Sequence, residues 1–248
     1  MKSLYSLSIL FILITTQSAR CQLSFIDEQL GYSRVQVAKS EKDKIVKSYF
    51  EDLGLPYKPN NLFLRAFKYE SKLEVWIQPN PNDNYRLLKE YDICEKSGWM
   101  GPKRRQGDLQ VPEGFYYISE FKPTSNFYLS MKLNYPNPSD NLNGESGNLG
   151  GNIYIHGECE TVGCIPIENS QIKELYWLLV QAKGNGQLYI PVHIFPYKFN
   201  QSALPEYWHI VEELQVFWNN IREGYDYFEI YKKLPFIHVN EDGSYAFF

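Results

Sequence analysis

The sequence predicts a mostly β domain of the α+β class with flanking helices. Three observations carry this: short segments of alternating apolar and polar residues, turn-forming residues between them, and apolar stripes at helical spacing. An aromatic content of 16%, with 20 Tyr, suits pleated, half-buried surfaces.

The N-terminus reads as an export signal over residues 1–21. Lys2 supplies a positive charge and Leu7 to Ile14 a short apolar core, well below the roughly 20 residues that cross a bilayer. Ala19 and Cys21 are small residues suited to a cut before Gln22. A lipid anchor at Cys21 is disfavoured by Arg20 beside it, and no other apolar stretch could span a membrane. The protein is therefore expected to be exported, to the periplasm or cell envelope. About 227 residues remain, one large domain or a domain with a small extension. Losing Lys2 and Arg20 moves the net charge from -4 to about -6, which excludes a nucleic-acid partner.

From residue 22 to 59 a helical extension is expected, because Ile45, Val46, Tyr49, Phe50 and Leu53 fall at helical spacing over 41–53 and Gly54 stops the run. The main body then runs from 60 to 248. Strands are predicted over 62–69, 72–78 and 85–93, the first two joined as a hairpin at Glu70-Ser71. Polar, Pro- and Gly-containing stretches at 101–114 and 134–151 read as long loops, with short strands at 115–119 and 127–133. In the strand 152–156, Ile153 and Ile155 face one side, while Asn152, Tyr154 and His156 face the other, the polar one. Helices are predicted over 170–182 and 206–222, a buried strand over 188–195, and an edge strand in the aromatic tail 225–248.

Chemistry concentrates in G-G-N-I-Y-I-H-G-E-C-E-T-V-G-C-I-P-I, which ends at Ile167. It sets the His156 imidazole and the Cys164 thiol eight positions apart. A thiol needs a base to become a nucleophile, and histidine is matched to that task near neutral pH. Cys164 is then the expected nucleophile and His156 the general base. Gly163 permits a tight turn whose N–H groups can face an oxyanion, and Thr161 is a candidate for orienting His156 or binding substrate. No Asp or Asn lies inside the motif, so a backbone carbonyl, with Gly157 the adjacent residue, is the expected orienting group. Tyr154, sharing a face with His156, and the Lys103-Arg104-Arg105 run are candidate substrate contacts.

Without Cys21, three cysteines remain, Cys94, Cys159 and Cys164, so at least one thiol is free. Either Cys159 pairs with Cys164, or Cys164 stays free with the other two paired or reduced. A zinc site from His156, Cys159, Cys164 and His193 is the alternative chemistry. Its spacing matches no compact zinc pattern, so no metal is expected. His193 itself reads as a core histidine.

H-G at 156–157 with T-x-G-C at 161–164 resembles the active-site signature of the L,D-transpeptidase catalytic domain family, the YkuD type. G-D-L-Q-V-P-E-G-F-Y-Y-I at 107–118 is similar to a second region of that family, with Val111 where Thr is common. L-N-Y-P-N-P-S-D at 133–140 and G-Y-D-Y-F at 224–228 fit a periplasmic, murein-directed subgroup. The resemblance covers about residues 60 to 230. It implies a mixed β-sandwich or barrel with flanking helices, no cofactor, a monomer, and peptidoglycan stem peptides as partners. Cys164 would attack the amide after a diaminopimelate residue, forming a thioester that an amine or water resolves. One departure stands out. Pro166 occupies the position two past the nucleophile, where many members carry Arg or His, and this fits a subgroup resembling hydrolases that release peptides or attached proteins from the wall. A wall-binding module that keeps the fold without the reaction is the reading from another class.

Overall fold

The computed structural model describes residues 24–200 and 212–248. The expected signal segment, Cys21 and the start of the helix predicted at 206, with His209, lie outside them. In chain order the elements are α1 Phe25–Leu30, α2 Ser33–Asp52, β1 Leu62–Phe67, β2 Lys72–Ile77, β3 Arg86–Asp92, β4 Gly114–Lys122, β5 Ser130–Leu133, α3 Pro138–Asn143, β6 Tyr154–His156, β7 Ile165–Pro166, α4 Asn169–Gly184, β8 Pro191–Phe195, α5 Glu212–Tyr231, β9 Ile237–Val239 and β10 Tyr245–Phe247. This is the expected α+β class: a mixed eight-stranded sheet flanked by helices, ordered β3-β2-β1-β8-β4-β5-β6-β7. Among the described residues, the parallel pairs are β1/β8 and β6/β7.

β1 explains how the layers form. Its side chains alternate across the sheet, and all six residues are buried. Leu62, Leu64 and Ala66 enter the core shared with α2 and α4, while Phe63 and Phe67 turn to aromatic clusters that include α5. α4 is buried nearly all round, through residues such as Ile172, Leu175, Leu178 and Leu179, because it lies between the sheet and α2. Polar bonds fix α2 to it. Lys42 Nζ meets Glu174 at 2.9 Å, and Trp177 Nε1 donates to Asp43 at 2.9 Å.

The sheet curls until its two edges meet at one end. Ile93, just past β3, bridges Ile167, just past β7, and the Cys94 N–H donates to Pro166 O at 3.1 Å. That closure brings the segment after β3 against the loop before β7.

Several elements differ from the sequence expectation. α2 begins at Ser33, not 41, because Val35 and Ala38 extend the buried stripe through Val46 and Phe50 despite polar residues between them. The loop over 134–151 contains α3, which Asn137 and Asp140 start with a reciprocal capping box. α5 continues through Tyr231 and so absorbs the G-Y-D-Y-F run. Trp218, Ile221, Tyr225 and Phe228 form its buried stripe. The tail consequently adds no strand to the main sheet, and β9 and β10 pair with each other instead.

Candidate active site

β6 and β7 are the elements that position the site. Their parallel register sets Ile155 beside Ile165 and His156 beside Pro166. Cys164, one residue before β7, therefore falls in line with Tyr154. With a side-chain period of two, Cys164, Tyr154 and His156 share one face of the sheet. β6 begins at Tyr154 and not at Asn152, whose backbone sits in the left-handed region at φ 59°. The polar face expected for His156 is not a wet one. The imidazole is 1% exposed and lies 4.7 Å, centroid to centroid, from the Phe127 ring.

A carbonyl orients that ring, as the sequence suggested. His156 Nδ1 is 2.6 Å from Gly157 O, a contact that places the proton on Nδ1 and leaves Nε2 as an acceptor. Glycine is required at 157 by close packing: a Cβ there would lie 2.5 Å from Asn169 Oδ1 and 2.9 Å from Ile172 Cγ2. Gly163 has φ 133°, and a Cβ on it would meet Gln110 O at 2.9 Å.

Thr161 shapes the loop that carries Cys164, and its hydroxyl bonds there and not to His156. Its hydroxyl accepts from Gly163 N at 3.2 Å and Cys164 N at 2.8 Å, and donates to Cys164 O at 2.9 Å. The two N–H groups first offered to an oxyanion are thus engaged by Thr161 in this state. Cys164 Sγ donates to Asn152 O at 3.6 Å.

Electrostatically, burial favours the neutral form of both the thiol and the imidazole. Burial pushes the Cys164 thiol up, against the pull of the Tyr154 backbone N–H and the Lys103 ammonium. Burial holds His156 below the usual histidine value, opposed by its bond to Gly157 and by Glu158. His193 is the core histidine expected. It lies between the rings of Phe63 and Phe115, and burial, with Arg65 nearby, pushes it down to about 3.

The cysteine alternatives resolve in favour of a Cys94–Cys159 disulfide with Cys164 free and half-buried. The zinc reading falls with it, since the Cys159 sulfur is bonded to carbon and sulfur and the imidazole of His193 is packed among rings in β8. The disulfide ties the segment after β3 to the loop between His156 and Cys164, across 65 positions of sequence. Replacing both cysteines by Ala is expected to cost about 4 kcal/mol from loop-closure entropy, read as a lower denaturation midpoint.

Beside Cys164 opens a cavity of 240 Å³ whose walls include Lys68, Trp99, Met100, Val111 and Glu113. Lys68 is a clamp: its Nζ donates to Gly101 O at 2.7 Å, Val111 O at 3.0 Å and Glu113 Oε1 at 2.8 Å. Trp99 stands 66% exposed at the mouth. Tyr154, on the same face as Cys164, is tied up elsewhere: its hydroxyl accepts from Lys122 Nζ at 3.0 Å and donates to Asn152 Oδ1 at 3.3 Å. Arg104 and Arg105 are not brought into this cavity. Arg105 meets Glu145 at 3.3 Å, and Arg104 lies 4.9 Å over the Phe217 ring. Their neighbour Lys103 turns inward and is 4% exposed. Sequence reasoning passed over Lys68 and Glu113, because a lone Lys at the end of an apolar strand gives no signal of its partner. The P-E-G run, inside the second family-like region, was the available hint.

An imidazole held by a carbonyl and a free thiol thus lie on one face of a mixed sheet whose edges meet. The chain belongs to the L,D-transpeptidase catalytic domain family. The family profile described as YkuD, L,D-transpeptidase catalytic domain, matches residues 75–194. A curated Escherichia coli K12 protein named "Putative L,D-transpeptidase YafK" is 32% identical over 205 residues, covering 82% of this chain and 78% of that protein. Among solved structures, the helical cell shape determining protein Pgp2 of Campylobacter jejuni aligns with TM-score 0.45 and 23% identity, over 61% of this chain and 55% of that one. Bdellovibrio bacteriovorus Bd1075 aligns with TM-score 0.41 and 21% identity, over 70% of this chain and 61% of that one. The chain thus spans less than two thirds of either structure's own length.

Proposed function

We propose that this protein is an exported cysteine L,D-transpeptidase that acts on peptidoglycan stem peptides through a thioester on Cys164. The observation that carries the reading is the free Cys164 on one sheet face with His156, whose Nδ1 is held by Gly157 O while the other two cysteines are paired. In the first step His156 Nε2 takes the thiol proton and the sulfur attacks the amide carbonyl after the diaminopimelate L-centre. The imidazolium then protonates the leaving amine, and the thioester remains. An amine from a second stem or water resolves it. Residues 1–21 act as the export signal in this reading, residues 22–59 as an extension and 60–248 as the catalytic domain, working as a monomer.

Hydrolysis is the second reading, in which the same thioester goes to water and peptides or attached proteins are released. Pro166 favours it. The position that carries a basic side chain in many members is here a proline, buried in β7, which offers no cation to hold a second stem. Exposure of the purified protein to a carbapenem is expected to add one mass of the drug, lost in Cys164→Ala. A folded wild-type protein that gains no mass would count heavily against both readings. Incubation with purified muropeptides separates them, by cross-linked dimers on one side and shortened stems on the other.

A further inference from the structure

Asn152 touches the candidate nucleophile and carries a side-chain donor that the resting site does not use. Cys164 Sγ donates to the backbone O of Asn152 at 3.6 Å, and the Tyr154 N–H pulls on the same sulfur. The carbonyl reaches the thiol because residue 152 is left-handed, at φ 59°, just before β6 begins at Tyr154. Asparagine adopts that conformation more readily than most side chains, yet glycine adopts it more readily still and stands at 150 and 151. The backbone therefore accounts for the carbonyl at this place and leaves the amide unexplained.

That amide is oriented. Its Oδ1 accepts from the Tyr154 hydroxyl at 3.3 Å, and the hydroxyl accepts from Lys122 Nζ at 3.0 Å. A chain that begins at an ammonium draws electron density toward Oδ1 and makes Nδ2–H a stronger donor. With Oδ1 turned to Tyr154, the Nδ2 protons meet no acceptor among the described residues, and Asn152 is exposed. Tyr154 lies in line with Cys164 on one sheet face, so the amide that it holds stands on the sulfur's side. The backbone donors of the nucleophile loop are engaged, since Gly163 N and Cys164 N both bond to Thr161. Lys68, on the cavity wall, spends all three protons on Gly101, Val111 and Glu113.

We propose that Asn152 is a further catalytic residue, its Nδ2–H group the side-chain donor that binds the oxyanion formed when Cys164 attacks. The inference rests on the reading of Cys164 as nucleophile. The thiolate forms a C–S bond to the carbonyl carbon, and the π pair of the C=O moves onto oxygen. That oxygen accepts from Nδ2, which keeps both its protons. Collapse restores the C=O and breaks the C–N bond, and the His156 imidazolium supplies the proton that the amine takes away. A donor aimed at a charge that exists only in this intermediate lowers the barrier without tightening ground-state binding.

The test compares two reactions of Cys164 in the full protein: acylation by a carbapenem, which passes through an oxyanion, and alkylation by iodoacetamide, which does not. Asn152→Gly keeps the left-handed backbone and removes the amide. It is expected to slow acylation about a hundred- to a thousandfold, with the alkylation rate unchanged across pH. Tyr154→Phe, which only unties the amide, is expected to give a smaller loss of acylation and again none of alkylation. Asn152→Asp is a second variant without the donor, read by the ratio of the two rates at the high-pH plateau should the glycine protein fail to fold. Acylation that holds in Asn152→Gly, or two rates that fall together, overturns the inference and leaves residue 152 a backbone support. A wild-type protein that alkylates at Cys164 yet takes up no carbapenem removes the thioester reading itself.

Discussion

Replacing His156 by Gln is expected to slow acylation of Cys164 by roughly a hundred- to ten-thousand-fold, the usual worth of a positioned general base. The reasoning is geometric first. Nδ1 is committed to Gly157 O at 2.6 Å, so Nε2 is the nitrogen left to receive a proton. Glutamine fills much of the same space yet cannot take that proton. Burial also sets the pH at which the base works. Because it depresses the imidazole, His156 is neutral down to a pH below the ordinary value of about 6.5. Wild-type acylation should therefore rise with pH through a midpoint below that value. The Gln variant should be flat across the same range. Carbapenem acylation followed by mass against time at each pH makes the comparison, and an unchanged acid limb in the variant would remove His156 from the role. Stability carries the same sign. As pH falls below about 6.5 the unfolded chain binds protons before buried histidines do, so folding loses stability. For His193 that loss continues down to about pH 3.

The local geometry of the candidate site was legible because it is built over short range. His156, Gly157, Thr161, Gly163 and Cys164 fall within nine positions, and each owes its identity to a constraint that sequence displays: glycine where backbone or side chains crowd, a hydroxyl where a turn needs an acceptor, a thiol next to a strand. Strands β1 to β3 were legible for a similar reason, since alternation and turn residues act over short range. What stayed hidden is long-range. No spacing rule says that Ile93 will bridge Ile167, or that Cys94 will find Cys159 and not leave Cys159 to its neighbour Cys164. Curling of the whole sheet decides both. The same holds for the basic run at 103–105. As a string it reads as a solvated loop, and only the fold sends Lys103 inward to Asp108 while Arg105 goes out to Glu145. Length was misread at both helical ends of the chain. α2 tolerates Lys42 on its buried stripe because Glu174 of α4 waits there, and α5 runs through Gly224 because Phe115 and Phe247 need the space a side chain would fill. In each case tertiary packing outweighed a local signal.

Replacing Glu113 by Ala should destabilise the protein by about 3–5 kcal/mol, the usual cost of stripping one partner from a buried ion pair. Glu113 is 0% exposed. One carboxylate oxygen meets Lys68 Nζ at 2.8 Å and the other accepts from Trp218 Nε1 at 2.7 Å. Alanine would leave a cation and an indole N–H enclosed without that acceptor. The reach of the effect comes from what Lys68 also holds. Its bonds to Gly101 O and Val111 O fasten the loop that walls the cavity beside Cys164 to the strand β1. Loss of Glu113 is thus expected to slow Cys164 acylation as well as to lower the denaturation midpoint, although the carboxylate performs no chemical step. Removing Lys68 in the same molecule, as Lys68→Met with Glu113→Ala, should recover part of the stability, because the stranded charge disappears with its partner. It should recover none of the acylation rate, because the loop contacts remain lost. Equilibrium denaturation of the two single variants and the double variant gives the coupling directly. A double variant as unstable as the sum of the singles would mean that the pair contributes as two independent side chains, and the account of Lys68 as a clamp set by Glu113 would have to be given up.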